Sequence, residues 1–165
     1  MAQPIDRRQL NGVAYDALPL DELNRAILRE LAVDARLSMA ELGRRVRLSA
    51  PAVAERVQRL EADGVILGYR AELDARKLGF PIAAVIRIRP SLRQLQKIPE
   101  IASESPEVVE CHRITGEDCY LLHVRLRAIE DLEELLDRFT PYGQTTTSIV
   151  HSSPVARRLP PIASA

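Results

Sequence analysis

Arginine is the residue through which the first half of this sequence could do chemistry. Arg36, Arg44, Arg45, Arg47, Arg56 and Arg59 fall within one short stretch against only Glu41 and Glu55, a local balance of +4. Guanidinium groups pair bidentately with phosphates and with the guanine edge in the major groove, so such a cluster suits a polyanion. The whole chain is neutral, with 23 basic and 23 acidic side chains. That neutrality hides a segregation, because Glu100 to Asp137 holds eleven acids against Arg113, Arg125 and Arg127, a balance of −8. A neutral total therefore does not argue against nucleic acid as a partner. The plain alternative is a solvated helical surface.

The second half offers two further constellations. Thr115-Gly116-Glu117-Asp118 reads as a hairpin turn. Gly116 would let backbone amides approach a carboxylate, and an acid in the turn could pair with an ammonium group. The same residues can equally be a turn and nothing more. If Ile114 pairs with Cys119, then Glu110 lies opposite His123 and His112 shares their face. A Glu/His/His set has the ligand types of a metal site. Polar groups of a sheet surface or subunit interface are the commoner role, and neither a metal nor another cofactor is expected. The same register puts Cys111 opposite Leu122, so Cys111 and Cys119 form no disulfide. They are read as small packing residues in a reduced, cytoplasmic setting. His151 cannot be placed.

The elements that must position these groups follow from periodicity. Leu23, Ile27, Leu28 and Leu31 mark one face of a helix from about Leu20 to Val33, with Asp21 and Glu22 in its first turn. Ser38-Met39-Ala40-Glu41 is a capping box opening a short second helix with Ala40, Leu42 and Val46 inward. Ser49 caps a third helix, with Pro51 in its first turn, Val53, Val57 and Leu60 inward, and a stop at Asp63-Gly64. Val65 to Leu73 reads as a strand, and Asp74 to Phe80 as a linker. Strands are then expected over Ile82–Arg89, Val108–Ile114, Cys119–Arg127 and Thr145–Ser152. Helices are expected over Leu92–Ser103, where Pro99 is a possible kink, and over Ile129–Phe139.

Short capped helices joined by Arg47-Leu48 form a helix-turn-helix pattern, whose third helix would enter the major groove. Ala50, Ala52 and Ala54 would let that helix approach base edges. Arg56 and Arg59 would project on its polar side. Ser38 and Ser49 would offer hydroxyls and amides to phosphates. A plain three-helix bundle is the alternative. The fold class is α+β: an N-terminal winged-type helix-turn-helix domain over 18–64, a strand and linker over 65–80, and a C-terminal ferredoxin-like (βαββαβ) domain over 81–153. Residues 1–17 and 154–165 are read as tails. The absence of about 18 consecutive apolar residues argues against a membrane helix, and Met1 to Ala17 has no apolar core of a secretory signal.

Residues 20 to 153 resemble the Lrp/AsnC family of feast/famine regulators. The resemblance is carried by Ile27-Leu28, Asp34-Ala35-Arg36-Leu37-Ser38, Glu41-Leu42, Leu48-Ser49, Arg56-Val57, Leu60-Glu61 and Gly64-Val65-Ile66. Further on it is carried by Glu110-Cys111-His112, Thr115-Gly116, Tyr120-Leu121-Leu122 and Thr145 to Ser153. It implies a DNA-contacting segment over Met39 to Gln58. The candidate DNA contacts are Ser38, Arg44, Arg45 and Ser49, with Ala50, Pro51, Ala52, Glu55, Arg56 and Arg59 from the reading helix. It implies an effector, usually an amino acid, near Thr115, Gly116, Glu117, Asp118, Cys119, Thr147 and Ser148. Many relatives carry Asp where this chain has Cys119. The ammonium contact could have moved to Asp118, the effector could differ, or there could be none. The expected partners are double-stranded DNA, a small effector, and further copies of the chain as a dimer assembling to a tetramer or octamer. Two other functions remain: an enzyme resembling the family's tetrapyrrole decarboxylases, hinted at by His112 and His123, and a stand-alone metabolite-binding module.

Overall fold

The computed structural model describes residues 20–162. The expected tail over 1–17 lies outside the described residues, as do the last three residues of the chain. The chain divides into two compact units: residues up to Arg70 together with those from Arg158, and Ala71–Arg157.

The first unit is helical. Helix α1, Glu22–Val33, is capped by Asp21, whose Oδ1 accepts from the Asn24 amide at 2.7 Å. Its buried stripe is narrower than the sequence suggests, because Ile27 and Leu31 are buried while Leu23 is 37% exposed. Helix α2, Met39–Val46, starts at Ser38, whose Oγ accepts from the Glu41 amide at 3.1 Å. Glu41 spends its carboxylate on Arg44 and Arg45. Ala40 is exposed, and Met39 packs against the core in its place. Helix α3, Ala50–Ala62, is capped by Ser49, with Pro51 in its first turn and Val53, Val57 and Leu60 buried. One aliphatic cluster from all three helices fills the interior: Ile27, Leu31, Leu42, Val46, Val53, Val57 and Leu60. Full burial of each Val, Ile or Leu contributes about 1.5–3 kcal/mol. A surface ion pair adds roughly 0–1 kcal/mol, so packing rather than the arginine pairs holds the bundle.

The strand expected over Val65–Leu73 does not form. Gly64 takes the left-handed conformation (φ +70°), and the amides of Val65 and Ile66 both return to the Leu60 carbonyl, at 2.9 and 3.0 Å. Their side chains cover the helical core. Gly68, at φ +146°, interrupts the run again, and Leu67 and Leu73 are exposed. Among the described residues there is thus no strand to serve as a wing.

The second unit is a four-stranded antiparallel sheet with two helices on one face. Its strands are β1 (Ile82–Pro90), β2 (Val108–Arg113), β3 (Tyr120–Leu126) and β4 (Gly143–Ile149), in the order β2-β3-β1-β4. Helices α4 (Lys97–Glu104) and α5 (Glu130–Phe139) complete the ferredoxin-like βαββαβ arrangement. Ala84, Ile86 and Ile88 of β1 and Leu122, Val124 and Leu126 of β3 pack against Ile98, Ala102, Leu135 and Phe139. The alternate residues, such as Val85, Arg87, Leu121 and His123, point to the other face. Helix α4 begins five residues later than expected: Arg93 is left-handed (φ +67°) and Leu92 is 95% exposed. Pro99 then falls in the first turn, where its missing N–H costs nothing, and makes no mid-helix kink.

Candidate nucleic-acid interface and ligand site

The junction between α2 and α3 is Arg47, Leu48 and Ser49. Arg47 adopts φ 58°, ψ 43°, and the amides of Arg47 and Leu48 both bond to the Gly43 carbonyl. Gly43 is there because a Cβ would lie 2.6 Å from the Leu48 carbonyl oxygen. Sequence reasoning passed over Gly43. The available signal was a glycine inside a capped helix, which costs about 1 kcal/mol against alanine and needs a packing reason.

The six arginines divide into three pairs. Arg45 and Arg56 bind the bundle together. Arg45 donates to Glu41 at 3.1 Å and, across to α1, to Glu30 at 2.9 Å. Arg56 was expected to project outward, but it is turned toward α1. It donates to Asp21 Oδ2 at 2.6 Å and Asn24 Oδ1 at 3.0 Å, with its side chain 30% exposed. The Asn24 amide, and after it Arg56, hold the Asp21 carboxyl below its usual range. Chiefly Arg45 does the same for Glu41. Arg44 and Arg59 form the second pair, 78% and 72% exposed, each matched only to a neighbouring glutamate of its own helix, Glu41 and Glu55. Such exposed pairs exchange readily for a phosphate. Arg36 and Arg47 are the third pair; both are exposed and neither makes an ion pair among the described residues. Ala50 and Ala52 are half-buried at the start of α3, and Pro51 and Glu55 are exposed beside them.

In the second unit the hairpin register matches expectation. The Ile114 amide bonds to the Cys119 carbonyl at 2.9 Å, Cys111 stands opposite Leu122, and no disulfide joins Cys111 to Cys119. Gly116 has φ +110° with open space around it, so its backbone conformation, rather than crowding, requires glycine. The turn acids have partners on β1: Glu117 pairs with Arg89, and Asp118 lies 3.8 Å from Arg87. Thr147 and Ser148 are not gathered with them. They lie on β4, across β1 from β3, opposite Ile86 and Val85, and as consecutive strand residues they face opposite sides of the sheet.

A cavity of 330 Å³ opens at the other end of the sheet, where β1 begins. Asp74, Arg76, Ala83, Arg125, His151 and Ser152 are among its lining residues. Sequence reasoning missed it because it joins segments far apart in the chain, among them His151, which periodicity could not place. Elsewhere on the sheet, Glu110, His112 and His123 converge as the register predicted. His112 Nε2 lies 3.2 Å from Glu110 Oε2, and the two imidazole rings meet edge-on with centroids 5.9 Å apart. The His112 hydrogen bond holds the Glu110 carboxyl below its usual range.

Known proteins match both units. The AsnC-type helix-turn-helix domain covers residues 20–61, and the Lrp/AsnC ligand binding domain covers residues 83–160. The chain is 36% identical over 135 residues to the HTH-type transcriptional regulator LrpC of Bacillus subtilis, spanning 82% of this chain and 94% of that one. The solved structure of LrpC has a TM-score of 0.79 at 35% identity, covering 84% and 99% of the two chains. Identity to the HTH-type transcriptional regulator LrpA of Mycobacterium tuberculosis is 38% over 129 residues, 78% of this chain and 86% of the relative. A transcriptional regulator from Neisseria meningitidis, solved as an L-Met complex, has a TM-score of 0.77 at 26% identity, covering 86% and 96%.

Proposed function

The chain belongs to the Lrp/AsnC family and is a transcriptional regulator with a helix-turn-helix domain and a ligand-binding domain; on that premise we propose that it reads duplex DNA sequence-specifically through α3 and answers to a small effector of the amino-acid class. The observation that carries the first part is the division of the arginines. Arg36 and Arg47 have no carboxylate partner among the described residues, and Arg44 and Arg59 are held only by exposed neighbours. These four reach phosphates, while Ser38 and Ser49 add hydroxyls at helix N-termini. Ala50, Pro51, Ala52 and Glu55 lie toward the base edges. Arg45 and Arg56 act one step back, by fixing α2 and α3 against α1.

For the effector, the support is the turn at Thr115 to Cys119 and the amino acid carried by the Neisseria meningitidis relative. Arg87 and Arg89 of β1 lie beside this turn and suit a carboxylate. Asp118 is the acid placed to meet an ammonium group where Cys119 stands in this chain. Thr147 and Ser148 belong to the proposal only if a further chain completes the site. Residues 18–64 then serve DNA, 65–80 connect, and 81–153 serve the effector and assembly. As a dimer or larger assembly the chain would present several reading helices, and avidity would rise through effective concentration. The regulator reading is also preferred to an enzyme, because the helix-turn-helix keeps its serine caps and its exposed arginines.

A thermal-shift screen of the common amino acids tests the effector. At a hundredfold excess over Kd, a ligand of the native state adds about 2.7 kcal/mol of stability. At least one amino acid is expected to raise the melting temperature. A flat result across all of them removes the amino-acid effector and leaves the DNA reading standing.

A further inference from the structure

Glu110 and His112 of β2 and His123 of β3 meet on the sheet face that α4 and α5 leave uncovered. The bulge between Val108 and Glu110 arranges this. Beyond it Glu110 stands opposite His123, and His112, two residues on, returns to the same face. One ligand atom from each residue lies within 4.8 Å of the others. The 3.2 Å between His112 Nε2 and Glu110 Oε2 is already the edge of a metal tetrahedron. Two ligands about 2.0–2.1 Å from a zinc-class ion at the tetrahedral angle stand about 3.3 Å apart. The His123 ring stands edge-on to that of His112, its centroid 5.9 Å away, so His123 is the candidate for the third corner. Arg157 donates to Glu110 Oε1 at 2.9 Å. That contact leaves Oε2 toward His112, which is how outer partners orient a ligating carboxylate.

Two imidazoles and one carboxylate suit zinc and its first-row neighbours rather than magnesium or calcium, which prefer all-oxygen sets. We propose that Glu110, His112 and His123 form a binding site for a zinc-class divalent metal ion, with water in the fourth tetrahedral position. The site ties β2 to β3 beside the bulge. It shares no residue with the helix-turn-helix or with the Gly116 turn, so it stands or falls apart from the regulator reading.

The test is titration of the tag-free, metal-stripped full chain with Co2+ and then Zn2+. One Co2+ per chain should be taken up with the visible absorption of a four-coordinate ion, and Zn2+ should bleach it. His112→Gln and His123→Gln each replace a side chain that is exposed or half-exposed, so folding is checked by far-ultraviolet circular dichroism. Each should weaken binding by about a hundredfold or more, since loss of an outer-shell partner alone costs about 10–100-fold. No uptake of either ion by the wild type overturns the site. So does binding by both folded variants as tight as the wild type's, which would place the ion elsewhere.

Discussion

Arg56 sits three residues after Val53 and four before Leu60, on the border of the stripe that α3 buries. On a helix of 3.6 residues per turn that position leans toward the neighbouring helix, and the structure uses it there, against Asp21 and Asn24. Its role follows as a positioning residue. Arg56→Ala should lower the stability of the helical unit by about 1 kcal/mol at neutral pH, measured by chemical unfolding. The pH dependence has a definite sign. The Asp21 carboxyl is held below its ordinary value of 3.8, so the unfolded chain takes up its proton first as pH falls. The stability it contributes is therefore complete above that ordinary value and is lost as pH drops through the lower folded one. The difference between wild type and Arg56→Ala should be largest above about pH 4 and shrink as pH falls below it, leaving only the part that the Asn24 contact supplies. A difference that persists undiminished in acid would detach Arg56 from Asp21.

Elements were legible where their signals are local. The caps Ser38 and Ser49 are each observed accepting the amide three residues on, whereas Asp21, expected inside the first turn of α1, is its cap. Gly64 stops α3 as its type suggests, and a short turn set the β2–β3 register from Arg113 back to Glu110, where an unforeseen bulge shifts it. What failed depended on competition between elements. Val65 to Leu73 has strand composition, but its first amides bond to the Leu60 carbonyl rather than to a neighbouring strand. The spacing of Leu95, Ile98 and Ile101 suits a helix over Leu92–Ser103, yet the left-handed Arg93 delays α4 to Lys97. In the site, the arginine cluster was visible as composition, but which guanidiniums already had carboxylates depends on α1, which brings Asp21 and Glu30 from far along the chain. Gly43 is the element-scale test. Gly43→Ala puts a Cβ against the Leu48 carbonyl, and the turn must open to admit it. The helical unit should lose about 1–3 kcal/mol in thermal or chemical unfolding, with DNA affinity falling alongside. An unchanged melting temperature would show that the close approach is not needed.

At the scale of the whole molecule, charge is segregated between the two units, and each half of the device suits a different partner. The helical unit carries the basic stretch from Arg36 to Arg59, and the sheet unit carries the acids. Neither the overall neutrality nor the pI of about 6.8 conveys this. Under the proposed reading, an effector alters DNA binding only through differential affinity for two states of the protein; if those states differ in assembly, oligomer size and DNA affinity should respond together. The measurement that bears most directly on the central claim is the affinity of the full chain for operator duplex as a function of salt, for wild type and for the Arg36→Ala/Arg47→Ala double variant. With about four phosphates neutralised per recognition unit, the log–log slope should be near −3.6, and removing two of those contacts should flatten it by about 2 while weakening binding across sequences. An affinity indifferent to salt, or a double variant with the wild-type slope, would contradict DNA recognition through this face.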